Sequence, residues 1–199
     1  MKILLFSLTI LFTSTAMALF SRDNTPQVPY KVLRKDANIE VRAYEPVLLA
    51  SVEKQGHMMD VGSSGFRDLA SFIFGGNEAS TKIAMTAPVN FVETDSGKTR
   101  MSFSMPAGFN LKNLPRPASK QIQIHELPAQ QMAVLQFGGF AGNRSIEAKA
   151  LELRNWLRKE GIAWNEPVIF MAYNSPWTLI GRRNEVAFSL KEQNPAAQN

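Results

Sequence analysis

The chain has 199 residues, 45% of them apolar, no cysteine, and a formal charge of +5 spread along its length. The lack of cysteine excludes disulfide and thiolate chemistry, and the lack of a dense basic stripe with interleaved aromatics sets nucleic acid aside as a partner. Length and apolar content suit one domain that must hold itself together by its core.

Residues 1–18 read as a signal peptide. Lys2 supplies the positive start, Ile3 to Phe12 is mostly apolar, and Ala16-Met17-Ala18 has the small-x-small pattern of a cleavage site. The apolar run is too short to span a bilayer comfortably. The expectation is an exported, periplasmic protein with no integral membrane segment after cleavage. Residues 19–29 are polar and read as a loose N-terminal arm.

"IEVRAYEPVLLASVEKQG" follows as two strands joined at Tyr44-Glu45-Pro46, with Ile39 and Val41 on one face and Glu40 and Arg42 on the other. "SSGFRDLASFIFGG" reads as a helix capped by Ser63 or Ser64 and ended by Gly75-Gly76. Phe66, Leu69, Ala70 and Ile73 form its stripe, and Phe72 falls outside it. "KIAMTAPVNFVE" and "TRMSFSMP" read as a hairpin around Asp95-Ser96-Gly97. Pro88 lacks a ladder donor, so its strand is expected at an edge or with a bulge.

The second half repeats this order. At a constant offset of 83 residues, Ile39 maps to Ile122, Val41 to Ile124, Ala50 to Ala133, Val52 to Leu135 and Gly56 to Gly139. A second helix, "SIEAKALELRNWLRKEG", takes Ser145 as cap and Ile146, Ala150, Leu153 and Leu157 as its stripe. "MSFSM" at 101–105 matches "VAFSL" at 186–190, an offset of 85. Neither half could bury its apolar face alone. The fold class expected is therefore α+β: a duplicated β-β-α-β-β unit, about 30–106 and 120–191, forming a distorted eight-stranded, mostly antiparallel barrel with two flanking helices. Residues 192–199 are a polar tail.

Motifs for catalysis are absent: no HExxH, GxSxG or GxxxxGK[ST] occurs. His125 shares the polar parity of its strand with Gln121 and Gln123 and reads as solvated. His57, in "GHMMD", stands beside Met58 and Met59, ligand types compatible with iron. A flexible loop that happens to contain His and Met is the commoner explanation of that grouping. Phe72 and Phe74 are surplus to the first helix's stripe; they either line an apolar groove or are covered by the arm or by the loop 106–119. Trp177 with Arg182 and Arg183 could hold an anionic aromatic ligand, or the arginines could pair with Glu185.

Four segments resemble the SOUL family of haem-binding proteins: "YKVLRKDANIEVRAYEP", "KIAMTAPV", "MAVLQFGGFAG" and "YNSPW…RRNEV". They run in order from about Tyr30 to Leu190, so the domain is taken as 30–191. The resemblance implies a duplicated eight-stranded distorted barrel, an architecture that also resembles the gyrase-inhibitor-like small-molecule-binding domains. It also implies non-enzymatic binding of haem or a related porphyrin in an apolar groove beside the first helix. One branch of the family has a histidine just before the tyrosine of the first turn, and here that position is Ala43. Another lines the groove with methionines, and here Arg67 and Ser71 replace them. Carried onto this chain, the groove would use Phe66, Ala70, Phe72, Phe74 and Met85, with Arg67, Arg182 and Arg183 toward the propionates. His57 is the one candidate for iron, and the partner is a small, hydrophobic, anionic ligand. The alternatives are another amphipathic molecule on the same scaffold, or an enzyme using Tyr44, Glu45 or Tyr173.

Overall fold

The structure is a computed structural model, and it describes residues 25–94, 96–175 and 178–192. The expected signal peptide, the first part of the arm, Asp95, Pro176, Trp177 and the tail from 193 onward lie outside the described residues.

The elements are β1 (Tyr30–Asp36), β2 (Ile39–Tyr44), β3 (Val47–Gln55), α1 (Gly62–Ile73), β4 (Val89–Glu93) and β5 (Lys98–Ser104), then β6 (Gln123–Leu127), β7 (Gln130–Phe137), α2 (Asn143–Lys159), β8 (Ile169–Ala172) and β9 (Asn184–Ser189). Nine strands form one antiparallel sheet in the order β1-β2-β7-β9-β8-β4-β5-β3-β6. The strand beyond the expected eight is β1, which pairs with β2 through an irregularity between Val32 and Arg34. It is an edge, and Lys31, Arg34 and Lys35 mark it with charge against further pairing.

Two short connections force the sheet to curl. Only residues 45–46 join β2 to β3, and only 128–129 join β6 to β7. Yet each connection links strands six places apart in the sheet order. Two residues span at most about 7 Å, and neighbouring strands alone lie about 4.8 Å apart. A flat sheet cannot satisfy both, so the strands wrap into a half-barrel. Without β1, the order is symmetrical about the β8–β4 pair: exchanging β2 with β6, β7 with β3, β9 with β5 and β8 with β4 returns the same sheet.

Both helices lie on one face. Contacts pack α1 against β3 and β5, and α2 against β7 and β9. Beneath them Ala50, Val52, Met101 and Phe103 meet Leu69, Phe72 and Ile73, while Ala133, Leu135, Val186 and Phe188 meet Ile146, Ala150, Leu153 and Leu157. The α2 stripe is the expected one. The α1 stripe is rotated: the buried residues are Gly65, Leu69, Phe72 and Ile73. Gly65 explains the rotation. A Cβ there would stand 3.2 Å from the Met101 side chain, so glycine lets the helix sit close to β5 on that side. Phe66 is consequently half-buried, edge-on to Phe103 with centroids 5.3 Å apart.

Other local expectations shift by a residue or two. The N-cap of α1 is Val61, with no side-chain cap bond, and Ser64 instead donates to the Val61 carbonyl. The N-cap of α2 is Gly142, whose N–H donates to Ser145 Oγ at 2.9 Å. Pro88 needs neither an edge nor a bulge. The strand begins one residue later, at Val89, and β4 is central between β8 and β5. The described part of the arm is anchored, because Val28 N–H donates to the Ala87 carbonyl and Ala87 N–H to the Pro26 carbonyl.

Candidate functional site

Strand alternation assigns the other face of the sheet. The register places Arg42 beside Met132 and Met132 beside Ser189, then Ile169 beside Ala187 and Val92 beside Ile169. Asn90 pairs with Ser102, Leu49 with Ser104, and His125 with Leu49. These side chains share the face opposite the helices. Because the sheet curls, that face is the inside of the half-barrel rather than a solvated exterior. A cavity of about 170 Å³ opens there. Its walls include Leu49, Val92, Leu127, Met132, Ile169 and Met171, its polar groups include Asn90, Arg100, Ser104 and His125, and Val28 of the arm closes part of its rim.

At the β2–β9 side this face is filled by a closed polar network. Arg42, 1% exposed, reaches across β7 to Glu185, 0% exposed. Its Nη1 donates to Oε2 at 2.9 Å and its Nη2 to Oε1 at 3.0 Å. Glu185 also accepts from Tyr173 Oη at 2.9 Å and from Arg183 Nη2 at 2.7 Å. Arg42 donates further to Glu40, and its guanidinium lies 4.1 Å from the centroid of the Tyr30 ring. Burial alone would lower the Arg42 pKa, but the hydrogen bonds and charge of Glu185 outweigh it and hold the group above its ordinary value.

The opposite side is less complete. Arg100 gives Nε and Nη2 to Glu53 Oε1, at 3.1 and 2.7 Å, and is one of the residues lining the cavity. His125 is half-buried, with its pKa lowered by burial and by the Arg100 charge, so the imidazole is neutral near pH 7. Among the described residues nothing hydrogen-bonds its ring, the Asn90 amide or the Ser104 hydroxyl. Ser104 is only 2% exposed.

The residues expected to form a groove divide between two environments. Phe72 is 0% exposed and belongs to the core, with Leu114 of the loop 106–119 in the same cluster. Its ring therefore has no surface to offer a ligand. Phe74 is 62% exposed, Arg67 is exposed, and Phe66, Ala70 and Met85 are half-buried. Arg183 is committed to Glu185, Tyr30 and Gln27. Arg182 lies 4.8 Å from the centroid of the exposed Phe140 ring. The start of β4 adjoins the end of β8 through the Val89–Ala172 pair. The Met85 segment, Asn174 and Arg183 therefore lie at the same end of those strands.

His57 is exposed beside α2, its Nδ1 3.2 Å from Glu93 Oε1. No group of three or more His, Asp or Glu side chains among the described residues is placed to hold a metal. Tyr44 and Glu45 border the cavity, whereas Tyr173 is tied to Glu185. Burial pushes Tyr44 up to about 12 and raises Tyr173 as well, so neither phenol is poised as a base near neutral pH.

The parity of His125 with Gln121 and Gln123 reads as solvent-facing, and no motif singles out Arg100 or Ser104. The signal that could have found them was the pair of short turns at 45–46 and 128–129, which makes that parity an interior.

A curled antiparallel sheet with helices on one face and a walled cavity on the other defines an α+β half-barrel. The C-terminal domain of EcmrR has the same fold, with a TM-score of 0.61 at 10% identity, covering 82% of this chain and 99% of that one. The chain matches the SOUL heme-binding protein family over residues 25–189 and belongs to that family. It is 32% identical over 168 residues to human heme-binding protein 2, covering 80% of this chain and 81% of the relative. Mouse heme-binding protein 2 is 30% identical over 181 residues, covering 87% of each.

Proposed function

We propose that the chain binds haem or a related tetrapyrrole without catalysing a reaction, and that it works as a periplasmic carrier or buffer. The observation that carries this reading is the family match across residues 25–189, with relatives named heme-binding proteins. The cavity of about 170 Å³ is smaller than the roughly 300–1,000 Å³ of sites that bury a drug-sized ligand, so it does not house a macrocycle. The surface beside α1 suits one better. Phe74 presents an exposed ring there, with Phe66, Ala70 and Met85 half-buried and Arg67 exposed.

At the same end, Leu179 and Ile180 are 74% and 71% exposed, and Arg182 stands over Phe140. Apolar surface flanked by guanidiniums fits a flat ring bearing carboxylates. Haem, when bound, supplies an iron centre on a conjugated ring; the protein's part is to cover one face and hold the propionates. With Ala43 at the family's histidine position and His57 exposed, axial ligation is weak and release is easy. Export rests on the Ala16-Met17-Ala18 pattern, which predicts Leu19 as the first residue of the periplasmic form. The symmetrical strand order and the repeat at offset 83 support descent from a duplicated unit.

Titration of the purified protein with haem tests the reading. A shifted Soret band that saturates at one equivalent is expected, weakened by Phe74→Ala and unchanged in shape by His57→Ala. A band like that of free haem at stoichiometric protein overturns it.

A further inference from the structure

We propose that the cavity inside the half-barrel is a separate binding site for a carboxylate with a short aliphatic tail, its head held between Arg100 and His125. The site lies on the sheet face opposite the helices, so this proposal does not depend on haem binding beside α1.

The argument starts from the symmetry of the sheet. The exchange that returns the strand order places β6-β3-β5 where β2-β7-β9 lies. At the sequence offsets of 83 and 85, Arg42 corresponds to His125 and Glu185 to Arg100. The ladder agrees. Arg42 shares a row with Met132 and Ser189, two same-face positions from the row of Gln136 and Glu185. His125 shares a row with Leu49 and Ser104, two same-face positions from the row of Glu53 and Arg100. In the first diagonal the two side chains meet at 2.9 Å as cation and anion. The second diagonal runs the same way, but it joins a guanidinium and an imidazole with no carboxylate between them.

Charge and hydrogen bonding at the second diagonal point the same way. Glu53 engages Nε and Nη2 of Arg100, no described residue engages its Nη1, and Arg100 lines the cavity. The Arg100 charge reaches His125, which places the two groups in one electrostatic site. Ser104 is 2% exposed, lines the cavity, and has no partner for its hydroxyl among the described residues. A ligand carboxylate would accept from Arg100 Nη1, the imidazole N–H and Ser104, supplying the anion that this diagonal lacks. Glu45, the one carboxylate among the described lining residues, sits in the exposed 45–46 turn at the rim. Leu49, Leu127, Met132, Ile169 and Met171 supply most of the surface for the rest of the ligand, with Asn90, Ser102, Gln130 and Ser189 between them, and the volume limits that remainder to a short chain.

Calorimetric titration with sodium octanoate, 1-octanol and octylamine tests the proposal. Octanoate is expected to bind at one site, and at least about tenfold more tightly than either neutral or cationic analogue. Arg100→Gln is expected to weaken octanoate by about tenfold or more while leaving octanol unchanged. A second readout needs no variant at the cavity. The chain has two histidines, so the Cε1 signals in a ¹³C-edited spectrum can be assigned with His57→Gln. Octanoate should move the His125 signal and leave His57 in place. Equal affinity for the three probes, no binding of octanoate, or a His125 signal unmoved at saturating octanoate overturns the proposal.

Discussion

Arg42 on β2 and Glu185 on β9 form a two-point ion pair across the intervening β7, with side chains 2% and 0% exposed. Two further donors, Tyr173 and Arg183, converge on the same carboxylate. Such a pair contributes little relative to well-packed apolar residues, but breaking one side of it is costly because a charge is left buried. Glu185→Gln leaves two guanidiniums facing a neutral amide. The expected loss is about 3–5 kcal/mol of unfolding free energy, measured by urea denaturation. A loss within about 1 kcal/mol would mean that the network is open to water.

Phe72 and Phe74 are two residues apart on one helix end and are expected to behave oppositely. Phe72→Ala empties a fully buried site and should cost about 3–5 kcal/mol, leaving haem affinity of the folded fraction unchanged. Phe74→Ala removes a ring that is 62% exposed, so stability should stay within about 0.5 kcal/mol while haem binding weakens. Thermal melts paired with Soret titrations of both variants separate the two roles.

Gly65 sets how closely α1 approaches β5. Alanine there gains up to about 1 kcal/mol of helix propensity but needs the Met101 side chain, 3.2 Å from the new Cβ, to give a few tenths of an ångström. The net change should be small. Leucine cannot be accommodated by so small a shift and should cost about 1–3 kcal/mol by overpacking, seen as a lowered melting temperature.

His125 makes stability depend on pH in a definite direction. Its folded pKa is depressed below the ordinary 6.5, by burial first and the Arg100 charge second. Between the depressed value and 6.5 the unfolded chain binds more protons than the folded one, so stability rises with pH through that window. The contribution is present above 6.5 and lost as pH falls through the folded value. Comparing urea midpoints at pH 5 and pH 7 should show a larger drop for the wild type than for His125→Gln. Bound octanoate, if it accepts from the imidazole, should reduce the drop by raising the His125 pKa.

Elements with a strong local signal were legible from the sequence. Ile146, Ala150, Leu153 and Leu157 form one stripe of a long helix, and that stripe is buried as the spacing predicts. The stripe of α1 was misread because Gly65 has no hydrophobicity to register, although its smallness decides which side of the helix packs. Pro88 was read as a strand residue because apolar alternation runs straight through it; its missing N–H instead sets the strand's start at Val89. The aromatic surplus at Phe72 vanished for the same nonlocal reason, since the loop 106–119 brings Leu114 into its cluster.

By itself the sequence determined the two helices, eight of the nine strands and the family, because each is written in local periodicity or in motifs of a few residues. Period two also separated Ile39 and Val41 from Glu40 and Arg42 on opposite faces of β2. Which face becomes an interior was decided only by the tertiary structure. Two-residue turns join strands that pair six places apart, and the resulting curl converts a row of polar-parity residues into a cavity wall. Arg100 acts on His125 for that reason alone: the path between them runs through β3, not along the chain.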